Sequence, residues 1–146
     1  MNNKYYIRIT KPKHGWAYIY IQEDKKIIFT GSLSYIDNVL NIFLDTFITY
    51  LTTKTPVALE FDEEGTSFTI ILMHDSIRIV SDRQVSKVDT FYMDPIQFIT
   101  EICKELNKNL DEWIRFNYFD TNNEKQFTHD KNIALNKLNC IQQKLK

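Results

Sequence analysis

The sequence predicts a single α+β domain over residues 1–146, with an antiparallel or mixed sheet of about five to six strands, a long amphipathic helix and two C-terminal helices. Two patterns lead to this class. Short runs with alternating apolar residues indicate strands, and longer runs with apolar residues three or four apart indicate helices. The chain is 43% hydrophobic and 14% aromatic, so it has enough apolar side chains for a core.

Three strands are predicted near the start of the chain, over residues 4–10, 16–22 and 25–30. Each run is rich in β-branched and aromatic residues, with a period close to two. Pro12 and Gly15 lie in the first connection, where residues of these types favour a turn. Because the connections are short, we expect the three strands to form an antiparallel meander.

A long amphipathic helix is predicted from Ser34 to about Leu51. Ser32 or Ser34 can cap its first turn, and Pro56 disfavours helical backbone at Thr55. The apolar residues recur in steps of three and four and form one broad face. They are Ile36, Val39, Leu40, Phe43, Leu44, Phe47, Ile48 and Leu51.

A second group of strands follows the helix. Residues 57–61 and 66–73 are predicted strands joined by a turn at 62–65, and another strand begins at Ile77. The centre of the run at 66–73 is apolar on both sides, which is typical of a central strand covered on both faces. Residues 85–93 give no clear pattern.

The C-terminal part is predicted to be helical. Asp94 can cap a helix that starts with Pro95 and continues to about residue 110. For residues 111–119 a helix is preferred, and a strand is the alternative; residues 120–126 are predicted as a loop. Thr128 is expected to cap the last helix, whose apolar stripe is narrow. The stripe consists of Ile133, Leu135, Leu138, Ile141 and Leu145.

Composition and motifs argue against several classes of protein. The net charge of −1 is unlike that of a strongly basic nucleic-acid-binding domain, so a nucleic-acid partner is not expected. No apolar run reaches the roughly 18 residues of a membrane span, and no secretory signal is recognisable. Cys103 and Cys140 have no metal-ligand spacing and are expected to be reduced, buried side chains. We therefore expect a cytoplasmic protein without a cofactor or metal.

The pair His74-Asp75 stands in the most apolar stretch of the chain and is the first candidate for catalysis. Neighbouring residues of a strand point to opposite faces, so Asp75 would orient His74 poorly as a general base. A turn between two strands explains the pair without chemistry, and this interpretation is preferred. A small enzyme with a site assembled from His74, His129 and Cys103 is the alternative.

Charge is distributed unevenly. Residues 1–30 carry six Lys and Arg against two acids, whereas residues 60–94 carry eight acids against three Lys and Arg. An acidic face can attract and bind a basic partner, although charged turns also serve simply to keep a protein in solution. The predicted partner-binding residues are Glu60, Asp62, Glu63, Glu64, Asp75 and Asp82.

Aromatic residues are concentrated in the predicted strand 16–22, where Trp16, Tyr18 and Tyr20 share one face. With Arg8 nearby, they have the chemistry of a base-stacking platform for single-stranded nucleic acid. Packing of this face against the helices is the preferred interpretation.

The stretch "FTGSLSYIDNVLNIFLDTF" (residues 29–47), together with the length and the α+β pattern, resembles the small immunity proteins of bacterial polymorphic and contact-dependent-inhibition toxin systems. The resemblance implies a cytoplasmic protein without enzymatic activity that neutralises a toxin by stoichiometric binding. A basic toxin domain would suit the acidic residues, with Glu60, Asp62, Glu63 and Glu64 mimicking phosphates. A homo-oligomeric module that associates through the last helix or an uncovered sheet edge is a further alternative.

Overall fold

The computed structural model describes residues 4–83, 85–118 and 123–146 and confirms the α+β class. Seven strands hydrogen-bond as two antiparallel sheets, rather than as one sheet of five or six strands, and the helices pack with both sheets around one core. The strands are β1 (Tyr5–Ile9), β2 (Trp16–Glu23), β3 (Lys26–Ser34), β4 (Val57–Asp62), β5 (Ser67–Leu72), β6 (Ile77–Asp82) and β7 (Ser86–Phe91). The helices are α1 (Val39–Thr53), α2 (Pro95–Lys108), α3 (Leu110–Arg115) and α4 (Glu124–Leu145).

Sheet A contains β1, β2 and β3 in that order, which confirms the predicted meander. Burial alternates along β1 and β2, as a sheet with one face on the core requires. Ile7 and Ile19 point into the core, for example, while Arg8 and Tyr18 point away from it. Arg8, Tyr18 and their neighbours on the same side of β1 and β2 therefore form an outer face of sheet A.

Sheet B contains β4, β5, β6 and β7 in that order. Its last strand lies where residues 85–93 gave no clear pattern, because β7 is an edge strand with little of its surface buried. The expectation that both faces of β5 are covered is wrong. Phe68 and Ile70 are fully buried on the inner face, but Thr69 and Ile71 on the outer face are only partly buried.

Helix α1 begins later than predicted. Strand β3 continues to Ser34, and the cap is Asn38, whose side chain accepts a hydrogen bond from the N–H of Asn41. The predicted caps Ser32 and Ser34 are therefore wrong. Ser34 cannot act as a cap because it pairs with Trp16 in sheet A.

Residues 111–115 belong to the short helix α3, which follows α2, so the helical prediction is confirmed for these residues. Residues 116–118 lie beyond that helix, and residues 119–122, including part of the predicted loop, are outside the described residues.

Helix α4 begins before Thr128, which is not its cap. The side chain of Asn123 accepts a hydrogen bond from the N–H of Gln126 and caps the helix. Two of the predicted stripe residues, Leu138 and Ile141, are buried in the core. In the described part of the chain, no helix is long and apolar enough to cross a membrane.

One hydrophobic cluster contains residues from all the strands and helices named above. The two sheets meet where Gly31 of β3 lies against the ring of Phe68 of β5. Phe68 also stacks on Phe61, with ring centroids 5.2 Å apart, and Phe61 contacts Phe43 of α1 at 5.1 Å. This packing brings the β4–β5 turn of sheet B close to the edge of sheet A.

Candidate partner-binding site

The acidic turn between β4 and β5 is shaped by its own residues. The N–H of Glu63 donates to the carbonyl of Thr66 at 2.8 Å, and the N–H of Glu64 donates to the side chain of Asp62 at 2.7 Å. Glu64 and Gly65 both have positive φ, which a tight turn after a strand often requires. The "DEEG" sequence thus folds into a fixed turn at one end of sheet B.

Glu63 points inward from this turn. Its side chain is only 6% exposed and forms an ion pair with Arg83 at 2.9 Å. It also accepts hydrogen bonds from the N–H of Ser32 at 3.0 Å and from the hydroxyl of Thr66 at 3.0 Å. Burial alone would raise the pKa of Glu63, but these hydrogen bonds and the charge of Arg83 outweigh it and lower the pKa.

Glu64 is also engaged within the protein. Its Oε2 accepts a hydrogen bond from the hydroxyl of Ser34 at 2.8 Å, although the residue as a whole is exposed. Glu63 and Glu64 therefore fasten the turn to β3, and their carboxylates are already occupied. This is a structural role that the sequence did not indicate.

The remaining acids at this end form a hollow that is open to solvent, with a volume of about 560 Å³. Asp62 and Asp82 lie in one row across the sheet, because both pair with Ser67 of β5. Glu60 lies two residues before Asp62 on the same outer face. The ionisable residues that line the hollow are Asp37, Glu60, Asp62, Asp82 and Arg83.

Asp37 was missed by the sequence reasoning. It precedes α1, and its Oδ2 accepts a hydrogen bond from the N–H of Asp62 at 2.7 Å, which brings it into the hollow. Burial raises the pKa of Asp37, and the charges of Asp62 and Glu60 raise it further, against the opposing effect of the Asp62 hydrogen bond. No local pattern in the sequence marks this residue, because the contact spans 25 positions.

Asp75 is separated from the other predicted site residues. It lies with His74 in the β5–β6 turn, at the opposite end of sheet B from the β4–β5 turn. Both residues are exposed, and the turn is closed by a hydrogen bond from the N–H of Met73 to the carbonyl of Ser76 at 2.9 Å. The predicted turn at His74-Asp75 is thus confirmed.

The three residues of the enzyme alternative lie in different elements. His74 is in the β5–β6 turn, Cys103 is in α2 and His129 is in α4. Burial raises the pKa of the Cys103 thiol to about 12, so the thiol stays protonated at neutral pH. Among the described residues, no group of three or more His, Cys, Asp or Glu could hold a metal ion.

Trp16, Tyr18 and Tyr20 lie on the outer face of sheet A, opposite the buried residues of β2, so the prediction that this face packs against the helices is wrong. Tyr18 is 39% exposed, and its ring centroid lies 6.5 Å from that of Tyr20. Tyr6 is also exposed on the neighbouring strand, and Arg8 pairs with Tyr20 across the strands. This face is a second candidate surface, with an aromatic and basic character.

Fold and site together define an α+β protein with two antiparallel sheets and an acidic hollow at one end of sheet B. The chain matches no protein-family model, no curated protein and no solved structure.

Proposed function

We propose that this protein acts by binding a basic protein domain in the acidic hollow, and that it is a cytoplasmic immunity protein that neutralises a toxin by stoichiometric binding. The observation that carries the proposal is the convergence of Asp37, Glu60, Asp62 and Asp82 on one open hollow. Among the described residues that line the hollow, the one cation is Arg83, and it is held by Glu63. The hollow therefore offers a concentrated negative charge to a basic partner.

Binding without catalysis is supported by the state of the reactive side chains. His74 is exposed in a turn, and the thiol of Cys103 is protonated and packed against the core. Cys103 and Cys140 are both free thiols. The bacterial toxin-neutralising role is what the resemblance of residues 29–47 implies.

The test compares charge reversals at the two ends of sheet B. Glu60→Lys and Asp82→Lys change exposed acids in the hollow, whereas Asp75→Lys makes the same change in charge at the other end. Tagged wild-type protein and the three variants are used to capture partners from a lysate of the source organism. A captured basic domain is then expressed alone and together with each form of the protein.

We expect the wild-type protein and Asp75→Lys to bind the domain and to relieve its toxicity, and each hollow variant to bind about tenfold more weakly. Equal binding by all four forms would remove the hollow from the proposal. A captured domain without toxicity would retain the binding function and remove the immunity role.

Single-stranded nucleic acid is a second candidate ligand, favoured by the exposed tyrosines of sheet A. Stacking on Tyr6 and Tyr18 and a phosphate contact from Arg8 would give binding with little sequence preference. Fluorescence anisotropy with a labelled oligothymidine measures it. Tyr18→Ala and Arg8→Gln should each weaken binding, whereas Tyr92→Ala, an exposed tyrosine after β7, should not. No binding by the wild-type protein at low salt would exclude this candidate.

A further inference from the structure

Strand β7 is an open sheet edge. It is the last strand of sheet B, and in residues 4–83, 85–118 and 123–146 only β6 pairs with it. The two edges of sheet A, in contrast, are covered by side chains that form hydrogen bonds with the backbone of the edge strand. Gln97 and Glu101 of α2 do this on β1, and Glu63 and Arg83 do it on β3.

Three large apolar or aromatic side chains are exposed on or beside β7. Val88 is 63% exposed in the middle of the strand, Val85 is 78% exposed just before it, and Tyr92 is 77% exposed just after it. An edge strand normally avoids such residues, because its unpaired backbone groups can recruit another strand. Exposed apolar residues on an open edge are therefore a sign of an interaction surface.

The charges of β7 indicate what the edge would bind. Lys87 and Asp89 lie on the same face of the strand, on either side of Val88, and their Nζ and Oδ1 atoms are 3.5 Å apart. If a second β7 runs antiparallel with a two-fold axis at Val88, Lys87 of each copy faces Asp89 of the other. Val88 then faces Val88 on the opposite side of the sheet. The strand is thus complementary to itself, as an interface with two-fold symmetry requires.

We propose that β7 is a self-association edge, through which a second copy of this chain pairs antiparallel about Val88. The two copies of sheet B then form one continuous sheet of eight strands. The row of Val80 and Val88 on the outer face continues into the second copy. The β7 edge is a different surface from the acidic hollow, so self-association and partner binding can each fail without the other.

The interface is small, so the dimer is expected to be weak, with a dissociation constant of about 10 μM to 1 mM. Sedimentation velocity over this concentration range measures it. Lys87→Asp and Asp89→Lys each place like charges opposite one another twice in the dimer. We expect each variant alone to dimerise about tenfold more weakly than the wild-type protein.

The decisive sample is an equimolar mixture of the two variants. A Lys87→Asp copy facing an Asp89→Lys copy has opposite charges at both positions, so the mixture should dimerise again. The double variant Lys87→Asp with Asp89→Lys should dimerise alone, and Lys25→Asp, in the exposed turn between β2 and β3, should behave as the wild-type protein.

Two results would overturn the proposal. One is a wild-type protein that stays monomeric at about 1 mM. The other is a wild-type dimer that neither single variant weakens, or that the mixture does not restore. Because the altered side chains are on an exposed edge, circular dichroism of each variant should match that of the wild-type protein.

Discussion

Glu63 and Arg83 form an ion pair, with Oε2 and Nη2 2.9 Å apart, that also closes the edge of β3. Glu63 accepts the N–H of Ser32, and Arg83 donates to the carbonyl of Thr30 at 2.9 Å. Two side chains at the end of sheet B thus form hydrogen bonds with the edge of β3, where a neighbouring strand of sheet A would otherwise pair. This relationship explains why the acidic turn lies against β3 and why the carboxylate of Glu63 is unavailable to a partner.

Glu63→Gln is expected to lower the free energy of unfolding by about 1–3 kcal/mol, because it removes the charge opposite Arg83 while Ser32 and Arg83 still need an acceptor. Glu60→Gln is the matched control, since Glu60 is exposed on β4, the strand that precedes the turn, and should change stability by less than about 0.5 kcal/mol. Urea denaturation at pH 7 measures both. Equal stabilities would show that the pair contributes little.

The stability contribution of Glu63 should depend on pH. Its pKa is lower in the folded protein than its ordinary value of 4.5, so the unfolded chain takes up the proton first as the pH falls. The contribution is therefore complete above about pH 5 and is lost as the pH falls through the lower, folded pKa. Between pH 6 and pH 3, the stability difference between wild-type protein and Glu63→Gln should shrink. A constant difference would contradict the lowered pKa.

Local patterns predicted the strands of sheet A and much of α1, because the spacing of apolar residues along the sequence indicates which side chains of a strand or helix are buried. The start of α1 was missed because Ser34 pairs with Trp16, which no local pattern reveals. The site shows the same division. Asp62 and Asp82 could be predicted from the acidic composition, but Asp37 enters only through its long-range bond to Asp62. Likewise, the inward orientation of Glu63 depends on Arg83, 20 residues away.

Gly31→Ala is expected to destabilise the protein by about 1–3 kcal/mol. A Cβ atom on Gly31 would lie 2.5 Å from the ring of Phe68 and 3.0 Å from a methyl group of Ile19. Phe68 cannot move aside, because the rings of Phe29 and Phe61 pack against its ring, with centroids 5.3 and 5.2 Å away. Thermal unfolding measures the loss, and Thr30→Ala on the exposed side of the same strand is the control.

A smaller residue at position 68 tests the reason for that loss. In the Gly31→Ala background, Phe68→Leu should cost less than it does in the wild-type protein, because it relieves the clash as well as leaving a cavity. A double-mutant cycle gives the coupling. If the two changes are simply additive, the contact between Gly31 and Phe68 does not limit the residue at position 31.

Cys103 is expected to be unreactive in the native protein. Burial raises the pKa of its thiol to about 12, so at pH 8 only on the order of one molecule in ten thousand carries the reactive thiolate. A Cys140→Ser variant leaves Cys103 as the one thiol for a disulfide reagent. Labelling should then follow global unfolding in urea. Rapid labelling of the native variant would indicate an activated thiol and would support the enzyme alternative.

The backbone of β1 should be less protected when the α2 side chains that bind it are changed. Glu101 accepts the N–H of Ile7 at 3.2 Å, and Gln97 donates to the carbonyl of Tyr5 at 3.0 Å. Glu101→Leu keeps an apolar stem but leaves that N–H without its acceptor, so we expect about 1 kcal/mol of destabilisation. Thr100→Ala on the exposed side of α2 is the control.

Hydrogen exchange separates this local effect from a general loss of stability. In Glu101→Leu the amide of Ile7 should exchange at least about tenfold faster, beyond the change seen for core amides of β5, because the opening is local to the edge. Uniform acceleration in both sheets would instead mean that Glu101 supports the whole core. Unchanged exchange at Ile7 would show that β2 alone holds β1 in place, and the side chains of α2 would then have no part in closing this edge.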